Sequence, residues 1–340
     1  MKTNQSNNKS EIILTGDRAT GPLHLGHYVG SLKQRVSLQH VHDQTILVAD
    51  MQGLTDNANN PAKVSSNILN VIADYLAVGI DPTKTTICLQ SQLPALAELT
   101  MFYSNLVSIA RLERNPTVKS EIQNKAFGRS IPAGFLTYPI SQAADITAFN
   151  ATLVPVGDDQ LPMLEQTNEI VRKLNSLAGK SILNECKPLL SNASRLPSTD
   201  GQNKMSKSMG NAINLGATEK EIRTAVKSMY TDPNHLKVED PGQVEGNIVF
   251  TYLDAFHSDT QYVSELKDHY RRGGLGDGQT KKVLEECLQE TLRPIRARRA
   301  ELLNDKPQLI DILRKGTQVS REKTEAVLID VKGVFGLNIF

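Results

Sequence analysis

A chain of 340 residues with 39% apolar content is long enough for a large core and for two domains. Its 38 basic and 37 acidic residues leave a net charge of +1, so any nucleic-acid surface must be a local patch. Three cysteines, Cys88, Cys186 and Cys287, stand far apart without CxxC spacing, which argues against a disulfide framework or zinc site and for free thiols in a reducing cytoplasm.

No apolar run reaches the roughly 20 residues of a membrane helix. The opening MKTNQSNNKS lacks the apolar segment of a signal peptide. A cytoplasmic chain with no membrane partner is expected.

Strand-like runs then alternate with amphipathic stretches. Residues 12–14 read as a buried strand feeding the Thr15-Gly16 turn, with a helix over about 27–42. TILVA at 45–49 precedes a helix over 62–78, opened by Pro61. TICL at 86–89 leads to a helix starting near Pro94, and LVPV at 153–156 to one over about 158–177. This alternation predicts an α/β fold, a doubly wound parallel Rossmann-type sheet with helices on both faces. Ligands of such sheets sit at the carboxyl ends of the strands beside the switch point, so Gly16, Asp50 and Gly157 should lie near one crevice.

The stretch 94–147 is too long for one crossover and reads as a helical insertion between the halves of the sheet. Beyond Ser208 strand signals stop. Helical periodicity over 219–230, 262–270, 279–304 and 308–335 predicts a smaller all-helical C-terminal domain. The expected division is 11–212 and 213–340.

Two motifs carry candidate chemistry. PLHLGH at 22–27 puts His24 and His27 at a helix start, where open backbone N–H groups and the positive dipole end favour phosphate. Gly26, lacking a Cβ, lets a flat ring or ribose approach the backbone. Far downstream, KMSKS at 204–208 sets Lys204 and Lys207 among Met205, Ser206 and Ser208 on a loop suited to clamping phosphates. A lone histidine or lysine is usually structural or solvated; the pair of motifs in this order is not.

Gln142 and Asp145 lie at i and i+3 on a predicted helix, facing one way. Apolar Ala143, Ala144 and Ile146 bury Asp145, which therefore needs a partner. Arg293, Arg296, Arg298 and Arg299 crowd one helix, a pattern that usually marks a solvated face. The glycine run 273–278 follows no strand and reads as a loop. His235, His257 and His269 lack metal spacing, so no metal site is expected.

The two motifs resemble the HIGH and KMSKS signatures of class I aminoacyl-tRNA synthetases. DYLAVGIDP (74–82), RLERNPTVK (111–119), TYPISQAAD (137–145) and VPVGDDQ (154–160) are similar to the bacterial tryptophanyl branch, and the resemblance runs from about residue 12 to the end. It implies activation of L-tryptophan by ATP, with Mg²⁺ bridging phosphate oxygens, and transfer of the acyl group to tRNA(Trp). His24 and His27 would stabilise the leaving pyrophosphate; Lys204 and Lys207 would neutralise its oxygens, with Ser206 or Ser208 adding hydroxyl bonds.

By the same resemblance Arg18, Ala19 and Thr20 reach ATP together with Gly26 and Met205, and Leu196 lies along the adenine. Gly157, Asp158, Asp159 and Gln160 serve the ribose and the tryptophan amino group. Asp145 takes the indole N–H, and Tyr138, Gln142 and Gln52 line the amino-acid pocket. The tyrosyl branch also carries an Asp on this helix but places a tyrosine where this chain has Leu14, and an apolar side chain suits an indole edge. A homodimer through the insertion and tRNA contact by the four arginines are further implications.

The tryptophanyl branch usually has a less basic first motif, a histidine at the position of Gln52 and a methionine at that of Gln142. This pocket is more polar, which predicts altered sensitivity to inhibitors that mimic tryptophan. Wild type and Gln52→His should therefore give different inhibition constants; equal ones would overturn the expectation.

Overall fold

A computed structural model describes residues 10–125, 130–190, 196–201, 205 and 211–339. Five parallel strands, β1 (Ile12–Arg18), β2 (Asp43–Ala49), β3 (Thr85–Leu89), β4 (Leu153–Val156) and β5 (Lys187–Leu190), lie in the order β3-β2-β1-β4-β5. Winding reverses between β1 and β4, and the open end of that seam is the switch point where such sheets bind ligands. The predicted doubly wound sheet is present.

β2 shows why the strands read as continuous apolar runs. Ile46 and Val48 enter one core cluster with Val71, Tyr75, Phe250 and Leu288, while Leu47 enters the other with Tyr103, Ile140 and Val327. A sheet buried on both faces needs apolar residues at every position. β5 gave no such signal. Three of its four residues are exposed, and Pro188, which has no N–H to donate, belongs on an edge strand.

Several helices differ from the expectation. The stretch predicted as one helix over 27–42 is Leu25–His27, a wider π turn over Tyr28–Leu32, and Lys33–Leu38. That over 62–78 divides into Pro61–Ser65 and Ile68–Ala77. Ile248–Phe256 is a helix with no helical signal: IVFTYLDAF is rich in β-branched and aromatic residues. Tertiary burial and the Asn247 side chain, which accepts from the Val249 N–H at 3.0 Å, hold it helical.

Between β3 and β4 the insertion supplies Pro94–Ser104, Ile109–Glu113, Pro116–Lys125 and Ala133–Ala148. Beyond 213 come Glu219–Lys227, Ile248–Phe256, Thr260–Arg272, Asp277–Asn304 and Lys306–Val334. Apolar residues from both sides of position 212 share each core cluster. No helix among the described residues is long and apolar enough to cross a membrane.

The last of these helices returns to the sheet and covers edge strand β3. Thr317 Oγ1 accepts from the Leu89 N–H at 3.0 Å, Arg321 donates to the Gln92 carbonyl at 2.8 Å, and Lys323 pairs with Asp43 at 3.1 Å. Contact is closest at Gly316, where a Cβ would overlap the carbonyl oxygen of Ile87. Alanine is favoured over glycine inside a helix by about 1 kcal/mol. Here the overlap with backbone outweighs that gain, because neither helix nor strand can yield locally. Gly316→Ala should destabilise by about 1–3 kcal/mol, read as a lower midpoint in thermal unfolding; a raised midpoint would contradict the packing.

Candidate active site

A cleft of about 570 Å³ opens at the carboxyl ends of β1, β2 and β4. At one end stand the two histidines. His24 caps the turn Leu25–His27, its Nδ1 accepting from the Gly26 N–H at 3.1 Å. The His24 N–H in return donates to His27 Nδ1 at 3.2 Å. The two side chains thus form a reciprocal capping box, with ring centroids 3.8 Å apart. Because both Nδ1 atoms act as acceptors, each neutral ring carries its proton on Nε2, as a donor.

Gly26 serves this arrangement in an unexpected way. A Cβ there would lie 2.9 Å from His24 Cε1 and 3.0 Å from Met205 Sδ. The space in front of Gly26 thus belongs to the histidine ring and to the methionine of the second motif. Leu25 N–H donates to the Ile213 carbonyl and Leu215 N–H to that of Leu23, both at 2.9 Å, with His24 and Asn214 forming an antiparallel bridge. The segment after KMSKS is tied by backbone to the first motif, and Met205 lines the cleft. Lys204, Ser206, Lys207 and Ser208 lie outside the described residues.

Asp74 secures this junction, a role the sequence did not reveal. It is 0% exposed. One oxygen accepts from the Leu23 N–H at 2.8 Å and the other from Arg299 Nε at 2.5 Å. Arg299 also donates to Asn70 at 3.0 Å, and Arg296 donates to the Ala217 carbonyl at 2.9 Å. Two of the four clustered arginines therefore bind their own chain. Arg293 and Arg298 are exposed, Arg293 beside a separate groove between Glu219–Lys227 and Asp277–Asn304.

The opposite end of the cleft is built on the Ala133–Ala148 helix. Asp145 is 4% exposed and lines the cleft. Gln52 Nε2 donates to its Oδ2 at 2.6 Å, and Gln90 Nε2 reaches Oδ1 at 3.0 Å and Oδ2 at 2.9 Å. Burial pushes the Asp145 carboxyl up to about 7; the Gln90 bond opposes the rise, Asp50 adds to it, and the Gln52 bond opposes it again. Gln142 and Gln160 face each other at 3.5 Å, and the Tyr138 hydroxyl donates to Glu121 at 3.0 Å. Burial raises the Tyr138 phenol, with the Glu121 charge adding to the rise.

Leu14, Arg18, Thr20, Gly16, Gly157 and Gln160 line the same cleft. Ala19 and Leu196 sit in the core behind it. Asp158 and Asp159 are exposed on the turn after β4, where the Asp159 carbonyl accepts from Thr117 at 2.6 Å. Asp50 lies near the crevice, beside the lining rather than in it, where its charge acts on Asp145. Its Oδ1 accepts from the Met51 N–H at 3.0 Å and the Ser91 N–H at 2.9 Å, holding the turn after β3.

Gln90, Glu121, Asp17 and Arg35 went unread. Gln90 directly follows β3, so the strand-end rule that selected Gly16 would have found it. Asp17 and Arg35 form an ion pair of 2.6 Å in the cleft wall, with the Tyr75 hydroxyl donating to the same Asp17 oxygen at 2.8 Å.

A switch-point cleft whose histidine-capped helix start is laced by backbone to the strip just after KMSKS is the arrangement of a class I Rossmann-type fold. The family model for class I tRNA synthetases (W and Y) matches residues 6–293. The chain is 59% identical over 334 residues to the tryptophan–tRNA ligase of Clostridium longisporum, covering 97% of this chain and 98% of that one. The ligase of Streptococcus pneumoniae serotype 4 is 54% identical over 336 residues, with 97% and 98% covered. The crystal structure of tryptophanyl-tRNA synthetase from Campylobacter jejuni, complexed with ADP and tryptophan, superposes with a TM-score of 0.84 at 31% identity, covering 96% of this chain and 100% of that one. The chain belongs to the class I tRNA synthetase family for tryptophan and tyrosine, and within it to the bacterial tryptophanyl branch.

The raised Asp145 carboxyl has a measurable consequence. Between about 3.8, the ordinary value, and about 7 the folded protein binds this proton and the unfolded chain does not. Stability should fall as pH rises through that window. Comparing unfolding free energies from pH 4 to 8, wild type should lose ground steadily against Asp145→Asn; a pH-independent difference would show that the acid titrates normally.

Proposed function

We infer that this chain activates L-tryptophan with ATP and transfers it to tRNA(Trp). The observation that carries the reading is the single cleft with two chemically distinct ends: Nε2–H donors beside Met205 at one, and a buried carboxylate held by two amides at the other. The donor end suits a triphosphate and the acid end an indole N–H. A phenylalanine side chain would leave Asp145 without that donor, and sites built around such a contact discriminate by roughly 10⁴–10⁵.

In the first step the tryptophan carboxylate attacks the α-phosphate in line, and the bond to the β-phosphate oxygen breaks, releasing pyrophosphate. His24 and His27 donate to phosphate oxygens as charge moves onto the leaving group. Lys204 and Lys207 share that work, and Mg²⁺ accompanying ATP would add charge neutralisation there without a protein cage. Arg18 and Thr20 flank the triphosphate, Gly157 and Gln160 the ribose and the amino group. Tyr138, Gln142, Gln52 and Leu14 surround the indole. In the second step a 3′-terminal ribose hydroxyl of the tRNA attacks the acyl carbon and AMP leaves.

Residues 11–212 act as the catalytic unit, and 213–340 meet the tRNA. Arg293 and Arg298 are exposed for that contact, while Arg296 and Arg299 keep the helices in place. The insertion helices supply a homodimer interface, and the enzyme works in the cytoplasm.

Amino-acid-dependent ATP–pyrophosphate exchange across the twenty amino acids tests this directly. Tryptophan alone should support exchange, and His27→Ala should lower kcat by about 10²–10³ with the tryptophan KM near wild type. Exchange with tyrosine alone would overturn the substrate, and none at all would point to a nucleotide-binding regulator.

A further inference from the structure

We propose that Gln90, which lies outside the cleft lining, is a positioning residue for tryptophan selection: its amide locks the Asp145 carboxylate in the orientation that meets the indole N–H. The proposal rests on Asp145 being the indole partner, and the experiment below separates failure of one from failure of the other.

Gln90 is 2% exposed and directly follows edge strand β3. Its amide can sit only one way round. Oε1 accepts from the Gln52 N–H at 3.1 Å, while Nε2 reaches both Asp145 oxygens, at 3.0 and 2.9 Å. A flipped amide would set N–H against N–H and a carbonyl oxygen against a carboxylate. The backbone after β2 thus dictates the direction of the Gln90 amide, and that amide spans the carboxyl group and stops it from turning.

The second donor makes the two oxygens unequal. Oδ2 accepts from both Gln90 and Gln52, which fills its two lone pairs. Among the described residues Oδ1 accepts from Gln90 alone and keeps one lone pair for an incoming N–H. Gln90 therefore sets which oxygen meets the ligand and favours its ionised form against the burial that opposes it. Gln52 lines the cleft and can touch a ligand itself. Gln90 does not, so its influence on binding passes through Asp145 and the Gln52 backbone.

The test compares dissociation constants for tryptophan and for 3-benzothienylalanine, in which sulfur replaces the indole N–H, using the full-length protein. Gln90→Met removes the donor at similar length. It should weaken tryptophan by about tenfold to a hundredfold, as expected for a lost charge-assisted contact, and leave the analogue within about twofold. The acid limb of tryptophan binding against pH should also move upward, because the carboxylate has lost a donor. A residue needed only for packing would weaken both ligands alike and leave that limb in place; this outcome overturns the proposal.

Gln90→Glu supplies a second reading should Gln90→Met fold poorly. It keeps an acceptor for the Gln52 N–H but sets an acid against Asp145, and should show the same selective loss. Asp145→Asn is the control. If it spares the analogue while the Gln90 variants weaken both ligands equally, the indole contact stands and the positioning role fails. If Asp145→Asn also weakens both equally, the indole assignment fails and the proposal with it.

Discussion

The Asp74 carboxylate, shared between a main-chain N–H and a guanidinium, is the contact on which the active geometry depends. Neither bond is local: Leu23 precedes Asp74 by 51 positions and Arg299 follows it by 225. Through them the segment entering the first motif, the Ile68–Ala77 helix and the long Asp277–Asn304 helix are held at one point. The strip 213–215 is laced to Leu23 and Leu25 at the same place, and a Cβ at Gly216 would press on the Arg299 side chain, 3.0 Å from its Nη1. Breaking a buried ion pair by deleting one partner typically costs about 3–5 kcal/mol. Together these bonds hold the first motif against the strip that follows the second.

The two ends of the cleft are built by opposite strategies. At the histidine end both Nδ1 atoms are tied to backbone N–H groups, so the ring orientations are set before any ligand arrives. At the Asp145 end the protein holds an ionisable group where burial disfavours ionisation, and offsets part of that penalty with two amide donors. The first end is fixed by backbone geometry, the second by side-chain amides set against burial.

Much of this was legible in the residues. Four of the five strands, the insertion and the helical second half follow from periodicity and turn chemistry, because strands buried on both faces and amphipathic helices leave repeating marks. β5 left none, being short, largely exposed and carrying Pro188. Ile248–Phe256 misleads by composition, since its packing overrides its propensity. His24, His27, Asp145 and Met205 were found through spacing and resemblance, and one cleft unites them. Asp74 and Gln90 were not, because what distinguishes them is a partner on a distant element. The arginine cluster shows the same limit: charge on a helix says nothing of whether it faces solvent or, as with Arg299, a buried carboxylate.

The closing helix over β3 has a bearing on how the chain is made. Its edge contacts, from Thr317 to Leu89 and from Gly316 to Ile87, come from a segment synthesised long after the strand they cover. Until that segment leaves the ribosome, β3 presents unpaired backbone to any neighbouring strand, the condition that invites mispairing between nascent chains. Wherever the sheet forms before residues 316–323 are made, that edge lacks its cover, and a chaperone would have most to do there.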